Sequence, residues 1–243
     1  MNSSKPSKIK VGTTADYEPF SYFQQNIHNG FDIELIQKLA NNLDITVQFI
    51  TTTWANLAKD LEEGLFDMAV GGISLTESRL QKFLVSSPIM FDGKAILANK
   101  KHYNKIKTLA DVDVPEMTVI VNIGGTNELF VKENIRAAKV ITTDDNMSIF
   151  NRLAAGEADV MFTDRLEAIY RQNLDPRLYT VDPTHLLTTP VGYGYIYRKD
   201  NIALRNTIEA SLKEFMAQED FKILFTRFFN FDYSTQFNPF KFD

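Results

Sequence analysis

The sequence predicts an α/β protein built as two similar lobes, each around a largely parallel sheet. Three observations carry that prediction. Strand-type and helix-type hydrophobic periodicities alternate along the chain, the sequence mark of strand–helix–strand units. The alternation restarts near residue 117, so each half holds strand, helix, strand, helix and strand, ending near an acidic turn. Two strand-like segments, residues 95–99 and 192–197, read as paired hinge strands crossing between the halves. The implied boundaries are lobe 1 at residues 1–96 and 193–243, and lobe 2 at residues 97–192.

Each element has its own warrant. Residues 8–13 (KIKVGT) alternate as a first strand and run into the turn-prone residues 14–20. Gly30 then precedes Phe31, Ile33, Leu35, Ile36, Leu39, Ala40 and Leu43, spaced along one helical face, with Asp32 and Glu34 in the first turn. Residues 46–50 form a strand, 54–61 a short helix and 66–70 a strand. In the second half come a strand near 117–121, a helix at 126–134, a strand at 138–141, a helix near 147–155 and a strand at 158–162. Residues 200–231 are helical, and Phe215, Phe221, Phe225, Phe228 and Phe229 read as core packing or, in part, as a surface for another subunit.

Composition narrows the function. The chain has 243 residues, 44% hydrophobic, 23% charged, with a formal net charge of −5. That is too apolar and too weakly charged for disorder. No apolar run approaches the ~20 residues that a membrane span needs. Mild acidity and the lack of a Lys/Arg cluster argue against nucleic acid as the partner. Cysteine is absent, so disulfides, thiolate metal sites and thiol nucleophiles are excluded. His28, His102 and His185 have no spaced partners, which speaks against a histidine metal centre or a histidine triad. Residues 1–8 lack the apolar core of an export signal and read as a trimmed mature terminus.

Several positions can carry chemistry. Ser74 and Arg79 follow a strand end, where an arginine offers a planar fork to a carboxylate or serves as a surface residue of a helix first turn. In residues 122–127 (NIGGTN), Gly125 and Thr126 open a helix; the amides and hydroxyl suit an anion, or Thr126 is simply an N-cap. No Gly-Lys-Ser/Thr follows, so this is not a P-loop. Asp164 reads as a helix cap or as the partner of a ligand ammonium. Glu167, one turn on, reads as half of a capping box or as a second carboxylate, in which case one of the two keeps its proton near neutrality. Tyr17, Phe20 and Trp54 follow strand ends and either wall a ring-shaped ligand or pack in the core. Lys94, just before the first crossing, is a solvated lysine or a cleft residue.

Residues 12–20 (GTTADYEPF), 30–34 (GFDIE), 66–69 (FDMA) and the segment through Arg79 resemble the amino-acid-binding branch of the periplasmic solute-binding proteins, a likeness running from about residue 9 to 231. That resemblance implies the type II periplasmic-binding-protein fold, two α/β lobes joined by two hinge strands with a central cleft, and a periplasmic location. It also implies that Arg79 and Thr126 hold an α-carboxylate and Asp164 an α-ammonium. Residues 53–57 (TWANL), 92–94 (DGK), 121–128 (VNIGGTNE), 145–150 (DNMSIF) and 163–168 (TDRLEA) are similar to the cyclohexadienyl dehydratases, enzymes of the same fold acting on prephenate and arogenate. In plain binding proteins the position of Glu167 is typically non-acidic and that of Lys94 is usually not lysine. The implied chemistry is decarboxylation with loss of the ring hydroxyl, needing no metal or redox cofactor. In it Glu167 is the general acid, Arg79, Thr126 and Asn127 clamp carboxylates, and Lys94 fixes a carboxylate or orients Glu167. The expected partner is a small carboxylate: prephenate, arogenate or, for a transport receptor without catalysis, an amino acid.

Overall fold

The strand Lys94–Asn99 is buried at all six positions. Its alternate residues belong to different apolar clusters: Ile96 and Ala98 with Val119, Val160 and Phe162, but Ala95 and Leu97 with Ile120, Ile149 and Met161. Successive strand side chains point to opposite faces, so a strand apolar on both lies inside its sheet. In the computed structural model, which describes residues 6–230, the sheet order is Lys139–Thr143, Thr118–Asn122, Val160–Asp164, Lys94–Asn99 and Leu178–Val181. The first three strands are parallel, and Lys94–Asn99 runs antiparallel to both of its neighbours. The helices Thr126–Asn134, Ser148–Ala155 and Arg165–Leu174, with the short helix Leu109–Val112, belong to the same unit, which spans Asp92–Pro190.

The segment 95–99 is therefore not the hinge strand expected from sequence. Its double apolar face commits it to the interior of the second sheet. The segments that pair at the two chain crossings are Met90–Asp92 and Val191–Tyr193, while Ile196–Tyr197 belongs to the first sheet. The division between units accordingly falls at Phe91/Asp92 and Pro190/Val191.

The other unit, residues 6–91 and 191–230, repeats the same plan. Its sheet order is Thr46–Thr51, Lys8–Thr13, Met68–Ala69, Ile196–Tyr197 and Leu84–Val85, again three parallel strands followed by an antiparallel one. The helix Phe31–Asn42 buries Phe31, Ile33, Leu35, Ile36, Leu39 and Ala40, the predicted face. Gly30 before it has φ 123°, and a Cβ there would run into the Phe20 carbonyl. Where the sequence suggests a plain turn, a small sheet of Asp16–Tyr17, Ser21–Gln24 and Ile27–Asn29 forms. The helices Ile202–Met216 and Glu219–Phe229 bury Phe215, Phe221, Phe225 and Phe229, and the Phe31 ring stands 5.2–6.1 Å from those of Phe221, Phe225, Phe228 and Phe229. Phe215, Phe221, Phe225 and Phe229 are core, and Phe228 is half-buried. Among the described residues, no helix is long and apolar enough to cross a membrane.

Candidate functional site

Open α/β sheets carry ligand chemistry at the carboxyl ends of their parallel strands. In the second unit, Val160–Asp164 ends at Asp164 and the helix Thr126–Asn134 follows the end of Thr118–Asn122. Lys94 begins the antiparallel strand and lies in register with Asp164. Strand direction thus gathers four predicted site residues at one sheet end. Lys94 Nζ donates to Asp164 Oδ1 at 2.7 Å, to Asn127 Oδ1 at 2.5 Å and to Thr126 Oγ1 at 2.9 Å. All three ammonium donors are used, so the lysine is held as a fixed charge, 6% exposed. The reading of Lys94 as a solvated lysine is thereby corrected.

Asn127 extends the network. Its amide nitrogen donates to Asn122 Oδ1 at 3.1 Å and to Thr163 Oγ1 at 3.5 Å. The Thr163 hydroxyl in turn donates to Glu167 Oε2 at 2.5 Å. Glu167 is 1% exposed, and its other oxygen lies 3.8 Å from an Arg171 guanidinium nitrogen one helical turn on. Arg171 itself stacks 3.8 Å above the Phe150 ring. Lys94, Asn127, Thr163 and Glu167 are therefore one chain of hydrogen bonds, which orients each member.

Local capping departs from the sequence reading at two helix starts. Asp164 makes no side-chain cap for the helix Arg165–Leu174, because its carboxylate is turned to Lys94. The cap comes from Asp92, which accepts the Leu166 amide at 2.8 Å and Arg165 Nε at 3.1 Å. Thr126 is the first residue of its helix, Gly125 is the N-cap, and the Gly124 amide is taken by the Glu128 carboxylate at 2.8 Å. Burial, with Asp164 nearby, pushes the Asp92 carboxyl up to about 7 against the opposing pull of Arg165 and the Leu166 and Gly93 amides.

Four predicted residues lie in the first unit as two pairs. The rings of Tyr17 and Trp54 meet edge to face at 5.9 Å, and Trp54 Nε1 donates to Asp16 Oδ1 at 3.1 Å. Arg79 donates from Nη1 to the Ser74 carbonyl at 2.7 Å. The Gly71–Gly72 turn upstream of Ser74 is tied to Asp32, whose Oδ2 accepts both amides, at 3.1 and 2.7 Å. Burial pushes that carboxyl up to about 6. Sequence reasoning passes over Asp16, Asp92, Thr163 and Arg171. Only neighbourhood flags the first three, which sit within or beside runs singled out for other residues; Arg171 lies three positions beyond one. Among the described residues there is no cluster of three or more His, Cys, Asp or Glu able to hold a metal ion.

Residues 9–231 match the bacterial extracellular solute-binding proteins, family 3. The chain belongs to that family. Members and relatives of two kinds stand near it. It is 38% identical over 176 residues to a cyclohexadienyl dehydratase of Pseudomonas aeruginosa, covering 72% of this chain and 66% of that protein, just under two thirds of the relative's length. The crystal structure of AncCDT-1, an ancestral amino-acid-binding protein and precursor of cyclohexadienyl dehydratase, superposes with a TM-score of 0.84 at 34% identity, covering 92% of this chain and 96% of that one. A variant of AncCDT-3, an ancestral cyclohexadienyl dehydratase, gives 0.55 at 36% identity, covering 93% of each chain. The fold is that of the type II periplasmic binding proteins.

Proposed function

We propose that this solute-binding-family protein is a cyclohexadienyl dehydratase acting in the periplasm, converting prephenate to phenylpyruvate or arogenate to phenylalanine. The observation that carries the reading is Glu167, a buried carboxyl bonded to Thr163 and joined through Asn127 to the ammonium of Lys94. A receptor that only holds a zwitterion has no need of a second acidic side chain one turn beyond Asp164. The 38% identity to the Pseudomonas aeruginosa dehydratase supports the same reading.

In the proposed reaction the bond from the ring to its carboxylate breaks and carbon dioxide leaves. The electron pair enters the ring, and the hydroxyl departs from the opposite ring carbon. Hydroxide leaves poorly, so Glu167 gives it a proton and it departs as water. Such general acid catalysis is typically worth about 100- to 10,000-fold. Aromatisation supplies the driving force. Arg79 is the cation proposed to hold a substrate carboxylate, with Ser74, Gly125 and Thr126 fixing its orientation, while Lys94, whose three donors are already engaged, is proposed to orient Glu167 through Asn127 and Thr163. Tyr17 and Trp54 are proposed to contact the ring, and Asp164 to set Lys94.

The test is incubation with prephenate and measurement of phenylpyruvate absorbance in alkali. Turnover that a Glu167→Gln variant loses supports the enzyme. The superposition on an ancestral amino-acid-binding protein favours one other reading, a transport receptor. Absence of product together with a melting temperature raised by ordinary amino acids would establish that reading instead.

A further inference from the structure

Residues 92, 93 and 94 each bind one of residues 166, 165 and 164. The Asp92 carboxylate accepts the Leu166 amide, the Gly93 carbonyl accepts the Arg165 amide at 2.9 Å, and Lys94 Nζ meets Asp164 Oδ1. This run leads into the antiparallel pairing of Lys94–Asn99 with Val160–Asp164, extended past the strand end into the first turn of the helix Arg165–Leu174. A helix start leaves amides without intrahelical partners, and the residue at the N-cap ordinarily supplies one acceptor. Here Asp164 occupies the N-cap position and makes no side-chain cap. Its carboxylate is turned to Lys94 instead. Asp92, 1% exposed, takes over the capping from the adjoining segment, and also pairs with Arg165.

We propose that Asp92 is a positioning residue of the site: by capping the Glu167-bearing helix from outside, it fixes where that helix presents Glu167 and leaves Asp164 to bind Lys94. The helix turn from Arg165 to Ala168 is short, so a shift at Leu166 is passed directly to Glu167. A misplacement of about 1 Å at a reacting group is enough to cost on the order of 100-fold in rate. The charged groups that face Asp92 are Arg165, which favours its ionised form, and Asp164, which opposes it; the Gly93 and Leu166 amides also favour the ionised form. Lys94 faces Asp164 from the same segment. Around neutral pH the strength of this cap therefore varies, ionised Asp92 accepting the Leu166 amide more strongly than neutral Asp92.

The activity arm of the test rests on the dehydratase reading; the amide arm does not. Asp92→Asn keeps shape and one acceptor, whereas Asp92→Ala removes the cap. In wild type the Leu166 amide proton resonance should move with pH with a midpoint near 7, and in Asp92→Asn that movement should vanish. Amides 165–168 should exchange about tenfold faster in Asp92→Ala, with the strand Thr118–Asn122 unchanged. With prephenate, kcat should fall about tenfold or more in Asp92→Ala at nearly constant KM, with partial recovery in Asp92→Asn. A Leu166 amide indifferent to pH, or to both substitutions, overturns the proposal. So does unfolding or uniformly faster exchange in Asp92→Asn, which would make Asp92 a general structural residue. If wild type turns over no prephenate, the dehydratase reading falls and the amide measurements still decide the role of Asp92.

Discussion

Lys94 Nζ lies 2.7 Å from Asp164 Oδ1, each side chain 8% exposed, and the strand register places the two residues directly opposite one another. Two charges removed from water are tolerated only when each meets the other and the remaining donors are satisfied. Thr126 and Asn127 meet that second condition for Lys94. Removing one partner leaves the other buried and uncompensated. Lys94→Met should therefore lower unfolding free energy by roughly 3–5 kcal/mol in urea denaturation. Lys94→Met combined with Asp164→Asn should recover a substantial part of that loss, because no lone charge remains.

Thr163 is fully buried and links Asn127 to Glu167. Valine matches its shape without the hydroxyl. Thr163→Val should leave the far-ultraviolet circular dichroism unchanged and lower prephenate turnover by about tenfold, the effect of one lost orienting hydrogen bond to a charged or acidic group. Steady-state kinetics check this, with the loss expected in kcat.

Asp32 and Asp92 predict an unusual pH dependence of stability. Burial raises both from the ordinary 3.8, to about 6 and about 7. The folded chain thus holds these protons more tightly than the unfolded chain does. Their contribution to stability is complete below about 3.8 and is lost as pH rises through about 6 for Asp32 and about 7 for Asp92. Each should cost roughly 1–3 kcal/mol between about pH 5 and pH 8. Urea titrations at those two pH values should show the difference shrinking in Asp32→Asn and in Asp92→Asn. An unchanged difference in both variants would contradict the assignment.

Gly30 tests the backbone rather than a charge. At φ 123° it sits where side chains are strained, with the Phe20 backbone occupying the place of a Cβ. Gly30→Ala should destabilise the protein by roughly 1–3 kcal/mol, read as a lower thermal midpoint.

The repeated strand–helix plan was legible because buried parallel strands and amphipathic helices write distinct periods, as in Phe31–Asn42. The place of residues 95–99 was not. A short apolar run shows that a strand is buried but not which sheet buries it, and the same letters serve a crossing or a core strand equally well. Within the site, Asp164, Thr126 and Asn127 were recognisable as polar residues at strand ends and helix starts. Their partners were not, because the decisive contacts join Lys94 to residues 32, 33 and 70 positions away. Capping misled for the same reason: Asp164 has the sequence of an N-cap, yet Asp92, 74 positions from the Leu166 amide that it accepts, does the capping.

The central claim concerns the proton of Glu167, and the most direct measurement compares prephenate turnover by wild type and Glu167→Gln under identical conditions. The amide keeps the shape of the carboxyl and can accept from Thr163, but it has no acidic proton to give. The account predicts measurable phenylpyruvate from wild type and a fall in kcat of about 100-fold or more in the variant, with its melting temperature within a few degrees of wild type. Equal turnover by the two proteins, or none by wild type, would contradict it.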